Sequence, residues 1–141
     1  MTSNFSCIVV TVTLFRAIFE NIIYPLRIRK LDISDYMKSI DEYAKALEID
    51  HLLEKNALKL SSGEKRKVSI IRSVIFNPDI VLLDEPTTHL DLDSIHELIK
   101  LIQQLKQDIT FIIVSHNETF IQALQDVTYK VGEQNVLRKI N

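Results

Sequence analysis

Two nearby stretches of this sequence carry its clearest patterns: residues 60–68 read LSSGEKRKV, and residues 80–91 read IVLLDEPTTHLD. The second stretch begins as a short apolar run and ends in two adjacent carboxylates, Asp84 and Glu85. Short apolar runs of this kind are typical of strands buried in a parallel sheet. Because ligands of such sheets gather at the carboxyl ends of the strands, the pattern predicts a polar site directly after Leu83.

Helices and apolar runs alternate along the rest of the chain after residue 60. The expected order is a helix from Gly63 to about Phe76, where Asn77-Pro78 stops it, a strand at 80–83, a helix from Ser94 with Ser94 and Glu97 as its capping box, a strand at 111–114 and a helix at about 118–124. Uniformly apolar strands separated by amphipathic helices indicate parallel strands that helices cover on both faces. We therefore expect an α/β protein.

The segment before residue 60 is expected to be mainly helical after one strand. Residues 8–15 are apolar and β-branched, which predicts a strand, and residues 21–25, with Pro25, are expected to end the short segment that follows. A further helix is expected to begin at Ser34 or Asp35, with its buried face formed by Tyr36, Ile40, Tyr43, Ala44 and Leu47.

Composition excludes several classes of protein. The 141 residues are one domain's length, and a net charge of -2 gives no global basic surface for a nucleic-acid backbone. Cys7 is the only cysteine, so we expect no disulfide within the chain, no Cys-rich metal site and a small core residue at position 7. The longest uncharged run, residues 1–15, is shorter than the roughly 18 apolar residues of a spanning helix.

Three groups of residues could bind or act on a phosphate. Ser61 and Gly63 stand at a predicted helix start, where amides, a hydroxyl and the helix dipole favour anions. Asp84 could hold Mg²⁺ through water while Glu85 orients an attacking water. His116 follows a predicted strand as these carboxylates do. Each pattern alone is more often structural: a helix cap, an acidic strand end or a surface histidine.

In their order along the chain, these motifs resemble the nucleotide-binding domain of the ATP-binding cassette (ABC) family. Residues 60–64 resemble the LSGGQ signature, with Ser62 in place of its first glycine and Glu64 in place of its glutamine. Residues 80–84 resemble the Walker B strand, Glu85 the catalytic glutamate, residues 88–91 the D-loop and His116 the switch histidine. A weaker resemblance at residues 19–22, FENI, is to the segment after the Q-loop.

The resemblance implies a P-loop NTPase-like parallel sheet, part of a helical subdomain over about residues 15–62, and the signature helix, Walker B, D-loop and switch region over 63–141. It implies ATP and Mg²⁺ as cofactors, with Asp84 holding the metal through water and with Glu85 and His116 catalytic. Such domains pair head to tail, so the residues implied to face ATP on the partner are Ser61, Ser62, Gly63, Glu64 and Asp91. It also implies a membrane-spanning transporter subunit near residues 15–30, and a location on the cytoplasmic side of the membrane.

The sequence lacks one essential part of that family's site. Gly63 and Gly132 are its only glycines, so no Walker A motif, G-x-x-x-x-G-K-[ST], can be written in it. We expect no strand or phosphate-binding turn before residue 8. Because no glutamine precedes Gln103, the Q-loop is not intact. The fold is therefore expected to be incomplete and marginally stable, and the chain alone is expected to bind ATP poorly.

Other interpretations of the sequence remain open. Residues 63–65 and 89–92 also resemble the translation-associated ABC-F branch. The chain could instead be a non-enzymatic partner that supplies a signature face in trans, or a decayed gene fragment. Metal binding is not expected at His51 or His96, and the basic residues 65–67 are expected to be a solvated first turn of the signature helix rather than an RNA contact.

Overall fold

The computed structural model describes residues 5–8, 15–131 and 137–140. Its helices are α1 (Ile18–Ile28), α2 (Met37–Ala46), α3 (Ser62–Val74), α4 (Leu92–Leu105) and α5 (Glu118–Leu124), and its strands are β1 (Phe5–Ile8), β2 (Ile80–Asp84), β3 (Thr110–Val114), β4 (Tyr129–Val131) and β5 (Leu137–Lys139). Short 3-10 turns lie at Ile33–Tyr36, Asp50–Leu52 and Ala57–Lys59. This succession of strands and helices confirms the predicted α/β class.

Within the described residues, β1, β2 and β3 form a parallel sheet with β2 in the centre. Leu83 is paired with Ile8 on one side and with Ile113 on the other. The last residue of β2, Asp84, is paired with Val114, the last residue of β3. The carboxyl ends of β2 and β3 therefore lie together, which is the edge at which the sequence predicts a polar site. β4 and β5 pair separately as an antiparallel hairpin.

The first strand differs from its predicted position. It spans Phe5–Ile8 rather than residues 8–15, so a strand does precede residue 8. Phe15 lies in a bend. The remainder of the predicted strand, residues 9–14, and the side chain of Cys7 lie outside what the structure describes.

The prediction that residues 21–25 end a segment is wrong, because Pro25 lies inside α1. One face of this helix is fully buried and includes Ile18, Ile22 and Leu26. Burial of that face outweighs the backbone hydrogen bond that proline removes. The start of α1 is fixed by the buried Asn21, whose Nδ2 donates to the carbonyls of Phe15 and Ala17 at 2.9 and 2.8 Å.

Two other helices begin away from their predicted residues. α2 follows the 3-10 turn Ile33–Tyr36 rather than starting at Ser34 or Asp35, although its buried face is the predicted one. α4 begins at Leu92, and its cap is Asp91, which accepts a hydrogen bond from the Ser94 amide at 2.9 Å. The predicted Ser94 and Glu97 capping box is therefore wrong, since both residues lie within the helix. The predicted boundaries of α5 are confirmed.

Among the described residues, the sheet is covered on one face and not on both. Val81 and Leu83 of β2 are buried, and the residues beside them in β3, Phe111 and Ile113, pack against the same core. On the opposite face, Ile112 and Val114 are 50% and 52% exposed. The prediction of two covered faces fails because the described helices pack their apolar faces into a single core.

The apolar residues that recur at helical spacing along α4 are all buried; these are Ile95, Leu98, Ile99, Ile102 and Leu105. The 3.6-residue period of apolar positions in the sequence therefore predicts this face correctly. No helix within the described residues has the length and apolar character needed to cross a membrane.

Candidate functional site

Glu85 and His116 lie in contact at the carboxyl edge of the sheet. The Glu85 amide donates to the Val114 carbonyl at 2.8 Å, which ties the residue after β2 to the end of β3. The His116 amide donates to Glu85 Oε2 at 3.4 Å, and its ring Nε2 lies 3.4 Å from Glu85 Oε1. The structure thus brings together two predicted site residues that are 31 positions apart.

The two side chains differ greatly in exposure. The His116 side chain is 95% exposed, whereas that of Glu85 is 31% exposed and its Oε1 atom is buried without a hydrogen-bond partner among the described residues. The ring contact is therefore long and solvent-screened, and contributes little to stability. Glu85 has a φ of 45°, a conformation that non-glycine residues adopt at a cost and that recurs at functional sites.

Asp84 is exposed at the end of β2. Its carboxylate is a hard oxygen ligand of the kind that Mg²⁺ prefers, and Mg²⁺ commonly takes one or two carboxylates with water and phosphate oxygens as its other ligands. The donor set here fits that pattern as a partial site, because the phosphate oxygens have to come from a nucleotide.

Ser61 caps α3 in the arrangement called a capping box. Its hydroxyl accepts from the Glu64 amide at 3.2 Å, and its own amide donates to Glu64 Oε2 at 2.7 Å. The Ser61 backbone and side chain together hold the pKa of Glu64 below its ordinary value of 4.5. An ionised carboxylate therefore stands at the helix start where the sequence predicts a phosphate contact, and it already engages one of the amides there.

Gly63 packs directly against the D-loop, residues 88–91. A Cβ placed on Gly63 would lie 2.8 Å from the His89 carbonyl oxygen and 3.7 Å from Leu90 Cδ2. The signature segment and the D-loop are consequently neighbours within one chain. Ser61, Ser62 and Asp91 are exposed beside this contact.

The D-loop is a succession of tight turns that leads into α4. The Thr88 amide donates to the Glu85 carbonyl at 3.2 Å, and the Leu90 amide donates to the Thr87 carbonyl at 3.1 Å. His89 has a φ of 66°. Asp91 then caps α4, and its hydrogen bonds with Ser94 lower the pKa of the Asp91 carboxyl. Asp91 thus has a structural task in addition to its predicted place in the site.

The prediction of a solvated basic turn is correct for Lys65, which is exposed, but wrong for the next two residues. Arg66 is 7% exposed, and its Nη1 has no hydrogen-bond partner among the described residues. Burial lowers the pKa of Arg66, while the charges of Asp84 and Glu85 oppose that shift. Lys67 Nζ lies 3.3 Å from Glu97 Oε2, with the two side chains 11% and 18% exposed.

The sequence carries only a weak signal that Arg66 is buried. Arg66 shares one stripe of α3 with the buried residues Ser69, Ile70 and Ser73, at spacings of three, four and seven. Because Arg66 is charged, the sequence predicts a solvent-exposed position instead. His51 and His96, by contrast, are both exposed.

Comparison with known proteins assigns this sequence to a family. A family model described as "AAA domain, putative AbiEii toxin, Type IV TA system" matches residues 18–122, which is more than half of the chain. The chain belongs to the AAA-type P-loop domains. The order of its motifs is consistent with an ABC ATPase domain.

The chain is similar to an ATP-binding protein of a transport system and to a transporter of known structure. It is 32% identical over 123 residues to "Molybdate/tungstate import ATP-binding protein WtpC" of Pyrococcus horikoshii, a match that covers 86% of this chain and 36% of that protein. A solved structure described as "An inward-facing conformation of a putative metal-chelate type ABC transporter" superposes with a TM-score of 0.77 at 20% identity, over 98% of this chain and 58% of the other. The chain thus spans about a third of the length of that curated relative.

Proposed function

We propose that this chain supplies the signature face of an ABC transporter ATPase domain and caps ATP held by a complete cassette. The observation that carries the proposal is the packing of Gly63 against the His89 carbonyl, which sets the start of α3 and the D-loop side by side. In head-to-tail pairs of such domains, these two segments face the nucleotide of the partner. The exposure of Ser61, Ser62 and Asp91 beside this contact supports that role.

In this arrangement, ATP is held by the Walker A loop of the partner, and Ser61, Ser62, Gly63, Glu64 and Asp91 of this chain face it. Amides and a hydroxyl at a helix start suit a phosphate group, because the positive end of the helix dipole adds to their hydrogen bonds. Glu64 opposes that attraction through its own charge. The division of the chain into a helical subdomain at about residues 15–62 and a catalytic part at 63–141 is part of the same proposal.

A second, reciprocal site contains Asp84, Glu85 and His116. Bound Mg²⁺ would neutralise phosphate charge there, and Asp84 would hold it through water. Glu85 would orient the attacking water, and His116 would contact the terminal phosphate. Since residues 1–141 contain no Walker A motif to position the phosphates, we expect this site to be inactive in the chain as given.

The proposal also includes a role of this chain in transport. The named relatives are transporter proteins. Ile28, at the end of α1, is 59% exposed, and Leu31 is 36% exposed just after it. We assign the region around residues 15–30 as the contact for a membrane-spanning subunit, which places the assembled chain on the cytoplasmic side of a membrane.

The test is a mixing experiment with a cognate complete cassette and Mg-ATP, in which steady-state ATP hydrolysis is measured with and without this chain. We expect stimulation by the wild-type chain. Ser61→Arg should abolish the stimulated rate because it fills the phosphate approach, whereas Glu85→Gln should leave it nearly unchanged. Gln104→Arg, at an exposed position of α4, adds the same charge elsewhere and serves as the control.

The roles assigned to the two sites are wrong if Glu85→Gln abolishes the stimulated rate and Ser61→Arg does not. An absence of stimulation by the wild-type chain argues against the proposed function itself. Isothermal titration calorimetry of the chain alone with Mg-ATP measures its own affinity for nucleotide. We expect weak binding because the sequence has no phosphate-binding loop, and a micromolar dissociation constant would contradict this expectation.

A further inference from the structure

The nearest approach of the D-loop to Gly63, in the signature segment at residues 60–64, is made by a backbone atom. The His89 carbonyl oxygen occupies the space that a Cβ on Gly63 would need, with 2.8 Å between the two positions. Side-chain carbons do not come that close to a carbonyl oxygen. Any residue other than glycine at position 63 therefore requires either α3 or the D-loop to move.

The His89 carbonyl is held in this position from both sides. Before it, the Thr88 amide donates to the Glu85 carbonyl, and after it, the Asp91 carboxylate caps α4. His89 itself has a φ of 66°, which is an uncommon conformation for a residue with a side chain. A loop that keeps such a conformation between two fixed ends has little freedom to retreat from a new side chain.

A second contact links the same two parts of the chain. Lys67 is one turn beyond Gly63 on α3, and its Nζ lies 3.3 Å from Glu97 Oε2 on α4. Both side chains are largely buried, so solvent screens this pair less than it screens an exposed one. α3 is thus joined to the D-loop at its start and to α4, the helix that follows the D-loop, one turn later.

We propose that Gly63 is a positioning residue whose missing side chain lets the His89 carbonyl seat against α3, so that the signature segment and the D-loop move as one unit within the chain. The inference rests on the proposed function only in that both segments are there assigned to face a second cassette. A displacement at either segment would then be transmitted to the other before any partner is bound.

The test compares Gly63→Ala with Ser62→Ala in the full chain, without nucleotide or partner. Alanine is a better helix former than glycine or serine, so helix propensity alone predicts that both changes stabilise α3. We expect Ser62→Ala to leave the melting temperature unchanged or raised, and Gly63→Ala to lower it by about 3 °C or more. In two-dimensional NMR spectra, Gly63→Ala should shift the backbone amides of Thr88 and Leu90, and Ser62→Ala should not.

A third variant, His89→Gly, keeps the proposal testable even if Gly63→Ala does not fold. Glycine adopts positive φ without strain, so the loop can relax away from a new side chain. We expect Gly63→Ala to be tolerated in the His89→Gly background: the loss in melting temperature should fall by more than half or, if Gly63→Ala alone does not fold, the double variant should fold. An unchanged loss in that background, or a higher melting temperature for Gly63→Ala with unshifted D-loop amides, would overturn the proposal.

These measurements need no ATP hydrolysis, so their outcome is separate from that of the mixing experiment. If the chain stimulates a complete cassette but Gly63→Ala leaves the D-loop amides unshifted, the coupling is wrong and the proposed function stands. If the D-loop amides shift and the wild-type chain gives no stimulation, the coupling stands and the proposed function is wrong.

Discussion

Glu64 has two opposing effects at the start of α3. Its carboxylate accepts the Ser61 amide at 2.7 Å and lies at the positive end of the helix, so it stabilises the fold. The same charge repels a phosphate that approaches Ser61. The ABC signature that residues 60–64 resemble has a neutral glutamine at this position. This single residue therefore favours the helix at the expense of the proposed anion contact.

Glu64→Gln is expected to exchange stability for binding. Loss of a charge at a helix start costs about 0.3–1 kcal/mol of unfolding free energy, and removal of its repulsion should lower the concentration of chain needed for half-maximal ATPase stimulation by about 2–5-fold. Glu118→Gln, in the first turn of α5, is the control: it should cost similar stability and leave stimulation unchanged. If both variants stimulate equally, the charge of Glu64 does not oppose the phosphate.

The pH dependence of stability gives an independent measurement of the same carboxylate. The pKa of Glu64 is lowered in the folded state, so its stabilising effect is present above its ordinary value of 4.5 and is lost as pH falls through the lowered value. The difference in unfolding free energy between wild type and Glu64→Gln should accordingly be constant near pH 7 and vanish at strongly acidic pH. Urea titrations across this range measure it.

At the scale of elements, the ion pair between Lys67 and Glu97 joins α3 to α4. Lys67→Met leaves the largely buried carboxylate of Glu97 without its ion-pair partner. We expect this change to lower the free energy of unfolding by about 1–3 kcal/mol, because the unpaired carboxylate remains desolvated. Lys45→Met is the matched control. Lys45 pairs with Asp41 on the exposed side of α2, so its replacement should cost less stability than that of Lys67. Equal losses of unfolding free energy in the two variants, measured by chemical denaturation, would show that burial does not strengthen the pair of Lys67 and Glu97.

The elements that sequence periodicity located correctly are those in which one strong signal acts alone. The inner face of α4 and the apolar run of β2 are examples, because burial of a single face decides both. Prediction failed where two signals compete. Pro25 opposes a helix locally, but α1 continues through it because its apolar face is buried. Asp91 and Ser94 are both good caps, and only the turns of the D-loop select Asp91.

The sequence could name the candidate site residues but could not predict their contacts. Ser61, Glu85 and His116 could be named from the motif order, since each follows a recognisable helix start or strand end. The approach of the His89 carbonyl to Gly63 could not be predicted from the sequence. It depends on a backbone conformation with positive φ at His89, which no local sequence pattern indicates. The burial of Arg66 could not be predicted either, because its charge and the two serines that share its helical stripe favour an exposed position.

For the molecule as a whole, we expect stability to be limited by β3, whose outer edge and one face are uncovered among the described residues. Among the described residues, β3 pairs with β2 on one side only, and its other edge has no described strand beside it. Ile112 and Val114 expose half of their apolar surface on the uncovered face of the same strand. A free strand edge next to exposed apolar side chains is the combination that promotes association of chains.

We therefore expect the wild-type chain to aggregate on concentration and to unfold with a broad transition. Ile112→Lys should raise the monomer fraction in size-exclusion chromatography with light scattering, because it places a charge on the exposed face, and it should shift the melting temperature by no more than about 2 °C. Ile113→Lys is the matched control on the same strand. It directs the charge into the core and should unfold the chain, since an unpaired buried ammonium costs several kcal/mol. A monodisperse wild-type monomer with a sharp cooperative transition would contradict the expectation, and would mean that the edge and the open face of β3 are covered in solution.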